Sequence, residues 1–361
     1  MKLKKSDIRS MPKVMIHEHL DCSVRPQTML ELWEKVGFGK CAFPFPSDLI
    51  SKWQASSKLS SSAQKRARQA VAVQYQDYIA EFATESLANY IKAIVDHILP
   101  VMQTHEQLVR ITKERIEDAV ADGIIAMELR FAPQLHTMGG MTLTQVMDAV
   151  VEGLKDSPLP VKLIVCTLRH ENADMASKLA ALALQYKDVV GVFDLAADEE
   201  ANPGVLDWWL QEAVKVRDQS DYSIKLTIHL NETRAATDSE RDTLKKYRIK
   251  RIGHGIKDDW PTVLELCPTS NVVTGQVKSY ADHPIDRFFN EGKKVTVNTD
   301  GTLLTKVQLS DEYYKLNRQF GWTALQFLLC NLNALEASSF SFKQKQALRA
   351  TLIAEYSALI G

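Results

Sequence analysis

Residues 224–229 read Ile-Lys-Leu-Thr-Ile-His, a short apolar run that stops on a histidine. It lacks the strict alternation of a half-exposed sheet, which is how a strand buried on both faces of a parallel sheet reads. Working outward, comparable runs lie at Val14–Ile16, Ile124–Phe131, Val161–Cys166, Val189–Phe193, Ile249–Ile252, Val263–Cys267 and Lys294–Val297. Helical stretches fit between most of them. Thr104-His105-Glu106-Gln107 has the form of a capping box, opening a helix that runs towards Asp122-Gly123. Eight such runs with interleaved helices predict an α/β fold, a (β/α)8 TIM barrel, with residues 1–361 as a single domain. The glycine fingerprint of a doubly wound open sheet is missing after the first run.

Two segments interrupt this rhythm. Residues 41–70 carry CAFPFP and then a Ser- and Lys-rich stretch, which reads as an exposed insertion. Residues 71–103 read as inserted helices between the first and second strands, near the C-terminal mouth, where they would cover a site. A third irregularity follows the sixth strand. Only Ile256–Val263, about eight residues, lie between the strand that ends in Gly-His-Gly and the strand that carries Glu-Leu-Cys-Pro. A parallel crossover usually takes about a dozen or more. A shortened crossover is therefore expected there, an extended loop between strands that remain adjacent, with apolar surface left exposed.

Hydrophobic residues make up 45% and charged residues 25% of the chain, an ordinary globular composition. The net charge of -1 provides no field to gather nucleic acid or an anionic membrane. Five scattered cysteines without a CxxC pair, and an N-terminus with no apolar run behind its basic start, imply reduced thiols and a cytoplasmic location. No stretch is long and apolar enough to span a bilayer.

The chemistry sits where the strands end. His17-Glu18-His19 follows the first run, and residues two apart on a strand point to the same side. His229 ends the fifth run, His254 closes Arg251-Ile252-Gly253-His254, and Asp300 follows Val297-Asn298-Thr299 at the last. The C-terminal ends of barrel strands are where such folds place their sites. Solvated histidines at a strand end are the plain reading of one HxH pair. Four of nine histidines closing three strands on one face exceed it. Imidazoles and a carboxylate suit zinc, and a catalytic zinc lowers the pKa of bound water. Glu232, three residues past His229, would lean over the same mouth as a proton donor or acceptor if the chain turns into its helix there.

Taken together, MPKVMIHEHLD, MELRFAP, FDLAADE, TIHLNE, RIGHG, ELCPTSN and VNTD resemble the adenosine deaminase family, in the family's order and from Pro12 to about Glu312. The resemblance implies one Zn2+ per chain, held by His17, His19, His229 and Asp300. It implies that Glu232 protonates purine N1 and that His254 orients the attacking water and handles its proton. It further implies that Asp21 contacts a ribose hydroxyl, and that His19, Ala197 and Gly301 line the substrate. The expected reaction is hydrolytic deamination of adenosine, and of 2'-deoxyadenosine, to the 6-oxo purine and ammonia. The partner is then a small purine nucleoside, with no nucleic acid and no membrane.

Four departures from the family pattern stand out, one of them a pair of residues. Cys22 and Ala197 stand where glycine is usual, Leu230-Asn231 where Ala-Gly is, and Gly301 where a second aspartate meets purine N7. On the sequence alone, Gly301→Asp should raise adenosine activity. The alternatives are a deaminase of adenine or a modified adenine nucleotide, and a nucleoside-binding barrel that has lost turnover.

Overall fold

The strands form where apolar runs can be covered on both faces. In a computed structural model that describes residues 2–201, 205–257 and 262–360, they are β1 (Lys13–Met15), β2 (Ile124–Phe131), β3 (Val161–Leu168), β4 (Val190–Ala196), β5 (Lys225–Leu226), β6 (His229–Leu230), β7 (Arg251–His254), β8 (Val263–Leu266) and β9 (Val295–Val297). All pair in parallel, in the order β1-β2-β3-β4-β5 and β6-β7-β8-β9. The run at 224–229 is one strand in two pieces. Thr227 still donates its N–H to Phe193 of β4, whereas the carbonyl of Ile228 already accepts from Gly253 of β7.

The other seam lies at the site. Asp300 donates its N–H to the carbonyl of His17 and accepts from His19 N–H at 2.7 Å, and His19 bridges to Arg130 at the end of β2. These bonds join the last strand to the first and close the barrel. The interior below is ionic. Arg130 donates to Asp194 at 3.0 Å and to Glu265 at 2.6 Å, and Arg251 donates to Glu128 at 2.5 Å and also to Glu265. Three carboxylates thus face two guanidinium groups, leaving an excess of one negative charge beneath the mouth.

Helix His105–Ala121 opens on the expected capping box, with the side chains of Thr104 and Gln107 each bonded to the other's backbone N–H. Between β1 and β2 lie helices Pro26–Val36, Ser47–Ser56, Ser61–Phe82 and Leu87–Ala93. Segment 41–70 is less exposed than its composition suggests. Phe45, Leu49 and Trp53 are buried, and the Arg68 guanidinium lies 4.4 Å from the Trp53 ring. As expected, the insertion reaches the mouth: Gln76 donates to the carbonyl of Leu303, and Glu85 N–H to that of Val273.

β7 and β8 are neighbours, pairing Arg251 with Val263 and Gly253 with Glu265. Residues 258–261 of the short link lie outside those described, and the expectation of an extended loop falls partly on them. Beside the link, the lower strand ends line a cavity of about 1080 Å3. Its walls carry Lys225, Arg248, Lys250 and Lys294 besides Glu291 and Glu336, while Ile224, Leu226 and Val263 at its base are buried, so the surface there is mainly cationic rather than the exposed apolar one expected.

Candidate metal centre and proton donor

His17 and His19 project from the end of β1, His229 opens β6, and Asp300 follows β9. One ligand atom from each lies within 4.8 Å of the other three. Three separations are tighter: His19 Nε2 to His229 Nε2 3.2 Å, His17 Nε2 to Asp300 Oδ1 3.3 Å, and His19 Nε2 to Asp300 Oδ1 3.4 Å. Ligand bonds of about 2.0–2.1 Å in a tetrahedron give edges of about 3.3–3.4 Å. His17 Nε2 is buried with no hydrogen-bond partner among the described residues, which costs stability for a polar atom unless it has a partner such as a metal ion. The donor set therefore fits a metal ion, and zinc suits its chemistry.

The far side of each imidazole faces a carboxylate. His17 Nδ1 donates to Glu265 at 2.8 Å, and His229 Nδ1 lies 3.1 Å from Asp194. His19 Nδ1 is 3.7 Å from Asp21. Such partners fix the tautomer and aim Nε2 at a metal. Burial brings His229 down to about 4 despite Asp194, so it is neutral and ligand-ready at pH 7. Asp300 takes a left-handed φ of 65°, which aspartate tolerates, and its Oδ2 accepts from Ser270 at 2.7 Å.

Glu232 lies in a loop rather than on the first turn of a helix, which begins only at Asp238. Buried Glu199 holds the loop, accepting from Glu232 N–H at 2.9 Å, Thr233 Oγ1 at 3.2 Å and Arg234 N–H at 3.3 Å. Asn231 helps, with φ 59° and its side chain accepting from Ala236 N–H. A small residue is thus replaced by one of the few that accept this backbone. Burial, then the Asp300 and Glu199 carboxylates, push the Glu232 carboxyl well above the usual range, which favours its neutral form.

His254 lies 3.5 Å from Glu232 and ends a chain of hydrogen bonds whose direction is fixed at its far end. Ile285 N–H donates to His283 Nδ1, so the neutral His283 carries its proton on Nε2. That proton goes to Asn271 Oδ1 at 3.2 Å, and Asn271 Nδ2 donates to His254 Nδ1 at 3.1 Å. His254 is thereby the Nε2–H tautomer. Burial, then His17, hold it well below its ordinary pKa.

The remaining expected residues are not ligands. Asp21 accepts from Ala132 N–H at 3.1 Å. Burial opposes its ionisation, but hydrogen bonding to His19 and the charge of that imidazole keep the carboxyl below its ordinary range. Ala197 follows β4 with φ 78°, a conformation that favours glycine, and packs against the small apolar cluster that includes Ala132 and Ala196. Gly301 backs onto Cys22 and Tyr90. Sequence reasoning gave no role to Asp194, Glu265, Glu199, Asn271 or His283. A carboxylate inside the apolar runs VGVFDLA and VLEL was the signal available for the first two.

The sequence profile of the adenosine deaminase family matches residues 59–355. An adenosine deaminase of Clostridium acetobutylicum is 34% identical over 351 residues, covering 92% of this chain and 95% of its own. Solved structures share the fold. The N6-mAMP deaminase of Arabidopsis matches at 24% identity with a TM-score of 0.77, over 96% of this chain and 99% of its own. The adenine deaminase of Arthrobacter aurescens matches at 20% with a TM-score of 0.75, over 97% and 99%. Fold and site define a barrel hydrolase acting on C–N bonds in cyclic amidines. The chain belongs to the adenosine deaminase family.

Proposed function

We propose that this protein hydrolyses the exocyclic amino group of a 6-aminopurine, adenosine first, with one zinc ion held by His17, His19, His229 and Asp300. The observation that carries the reading is the buried Glu232 carboxyl, 3.5 Å from His254 and beside that cluster, where burial favours its neutral form. A metal site alone serves many chemistries, whereas a neutral carboxylic acid next to it suits protonation of a ring nitrogen. Bound there, zinc supplies Lewis acidity and a water of lowered pKa. Glu232 gives its proton to N1 as water adds at C6, which places the developing charge on a neutral ring. His254, whose Nε2 already bears hydrogen, donates a hydrogen bond to the oxygen at C6 rather than removing its proton. That oxygen sheds two protons, one to the amino nitrogen and one back to the Glu232 carboxylate; the C6–N bond then breaks, ammonia leaves and the 6-oxo purine remains. Asp21, beside His19, faces the sugar hydroxyls.

Ala197 and the packing around Gly301 favour a second reading, in which adenine or an N6-modified adenine nucleotide is the preferred substrate. Five free cysteines suit a cytoplasmic setting, and no helix among the described residues is long and apolar enough to cross a membrane. The test is ultraviolet absorbance and ammonia release with adenosine, adenine, AMP and N6-methyl-AMP, using zinc-loaded protein. Fastest turnover of adenosine supports the first reading, and a preference for adenine or a nucleotide the second. Absence of turnover with all four refutes deamination.

A further inference from the structure

We propose that the Tyr90 hydroxyl is the donor that binds the purine edge on the Asp300 side of the site, the edge for which Gly301 has no side chain. The inference rests on the deaminase reading. Tyr90 comes from the inserted helix Leu87–Ala93, outside the barrel strands and outside the short sequence motifs quoted above.

Three observations converge. A Cβ built on Gly301 would lie 2.5 Å from the Tyr90 hydroxyl and 2.4 Å from Cys22 Sγ, so these two tips fill the space a side chain after Asp300 would enter. Tyr90 is only 3% exposed, yet its hydroxyl makes a single bond among the described residues, to Cys22 Sγ at 4.0 Å. A thiol sulfur is a weak acceptor, and that distance is the far limit for sulfur. Cys22 meanwhile directs its own proton towards the carbonyls of His19 and Asp300, each 3.8 Å away. The phenol is therefore a buried donor without a good acceptor, at the edge of the ligand cluster.

Purine chemistry supplies the acceptor. C6 and its amino group lie between N1 and N7 on the ring perimeter. With Glu232 serving N1 from the loop after β6, a group beyond Asp300, after β9, meets N7. That nitrogen has an in-plane lone pair and no hydrogen, so it takes a phenol proton well.

The experiment compares natural protein with Tyr90→Phe, on whichever 6-aminopurine is turned over and on its 7-deaza analogue. Removing the hydroxyl should lower kcat/KM for the parent roughly five- to a hundredfold and leave the 7-deaza compound nearly unchanged. The Kd of the 6-oxo product and of its 7-deaza form, by equilibrium dialysis, should show the same split without relying on turnover. An unchanged parent-to-deaza ratio in Tyr90→Phe overturns the proposal. Should that variant not fold, the natural protein alone decides: equal handling of parent and 7-deaza compounds overturns it. A metal-loaded natural protein that turns over no 6-aminopurine overturns the deaminase reading instead, and this inference falls with it.

Discussion

Glu265 accepts the Nδ1 proton of His17 at 2.8 Å, and neither side chain has any exposure to solvent. The same carboxylate receives Arg130 and Arg251, so one residue ties the barrel's ionic interior to the ligand cluster. Glu265→Gln should keep the shape and lose the charge that fixes the tautomer of His17 and aims its Nε2. The expected result is metal binding weaker by about 10–100-fold, measured by competition with a chromophoric chelator. Unchanged affinity would reduce Glu265 to a structural partner of the arginines.

Packing reverses the expectation for position 301. A Cβ there would stand 2.4 Å from Cys22 Sγ and 3.0 Å from Cys22 Cβ, so even alanine does not fit without displacement. Gly301→Ala should cost about 1–3 kcal/mol by overpacking, and Gly301→Asp should lose rather than gain activity. In a Cys22→Gly background the cost of Gly301→Ala should shrink, as read by denaturant unfolding of both pairs. Equal costs in the two backgrounds would mean that Cys22 is not what excludes a side chain.

How much of this was legible in sequence follows from chain distance. The four residues of the cluster are legible because each closes an apolar run, and strand periodicity sets which way they point. The barrel followed from the same runs, although the break between Leu226 and His229 left no mark in an unbroken apolar stretch. Glu232 is legible as a candidate, whereas its loop is not, because Glu199 lies 33 residues away and only folding brings the two together. The chain Ile285–His283–Asn271–His254 is likewise a product of packing. Tyr90 carries no sequence signal at all: it is one aromatic residue on a helix, given meaning by the missing side chain at Gly301.

The raised pKa of Glu232 has a stability consequence of defined sign. A buried carboxyl that stays protonated costs nothing below its unfolded pKa of about 4.3, and lowers stability progressively as pH rises from there towards its folded value. In metal-free protein, Glu232→Gln should therefore raise Tm at pH 7, and the gain should vanish near pH 4. A gain that persists at pH 4 would point to better packing instead of relief from ionisation.

His283→Ala should disturb the relay without touching the cluster. Freed from His283, the Asn271 amide no longer has a fixed orientation, and His254 loses its single tautomer. The nitrogen NMR shifts of His254 should move from a clean Nε2–H pattern to a mixture, and kcat should fall roughly five- to a hundredfold with metal retained. An unaltered tautomer with lowered kcat would assign His283 another role.

The central claim is one metal ion and one separate proton donor acting on a 6-aminopurine. Elemental analysis of natural protein, His229→Ala and Glu232→Gln, paired with turnover of the best 6-aminopurine, tests it most directly. The expected result is one zinc per chain in natural protein and in Glu232→Gln, with turnover in the latter reduced at least about 10²-fold, and loss of both metal and turnover in His229→Ala. Natural protein that is active without stoichiometric metal and indifferent to strong chelators, or Glu232→Gln at full activity, would contradict the account.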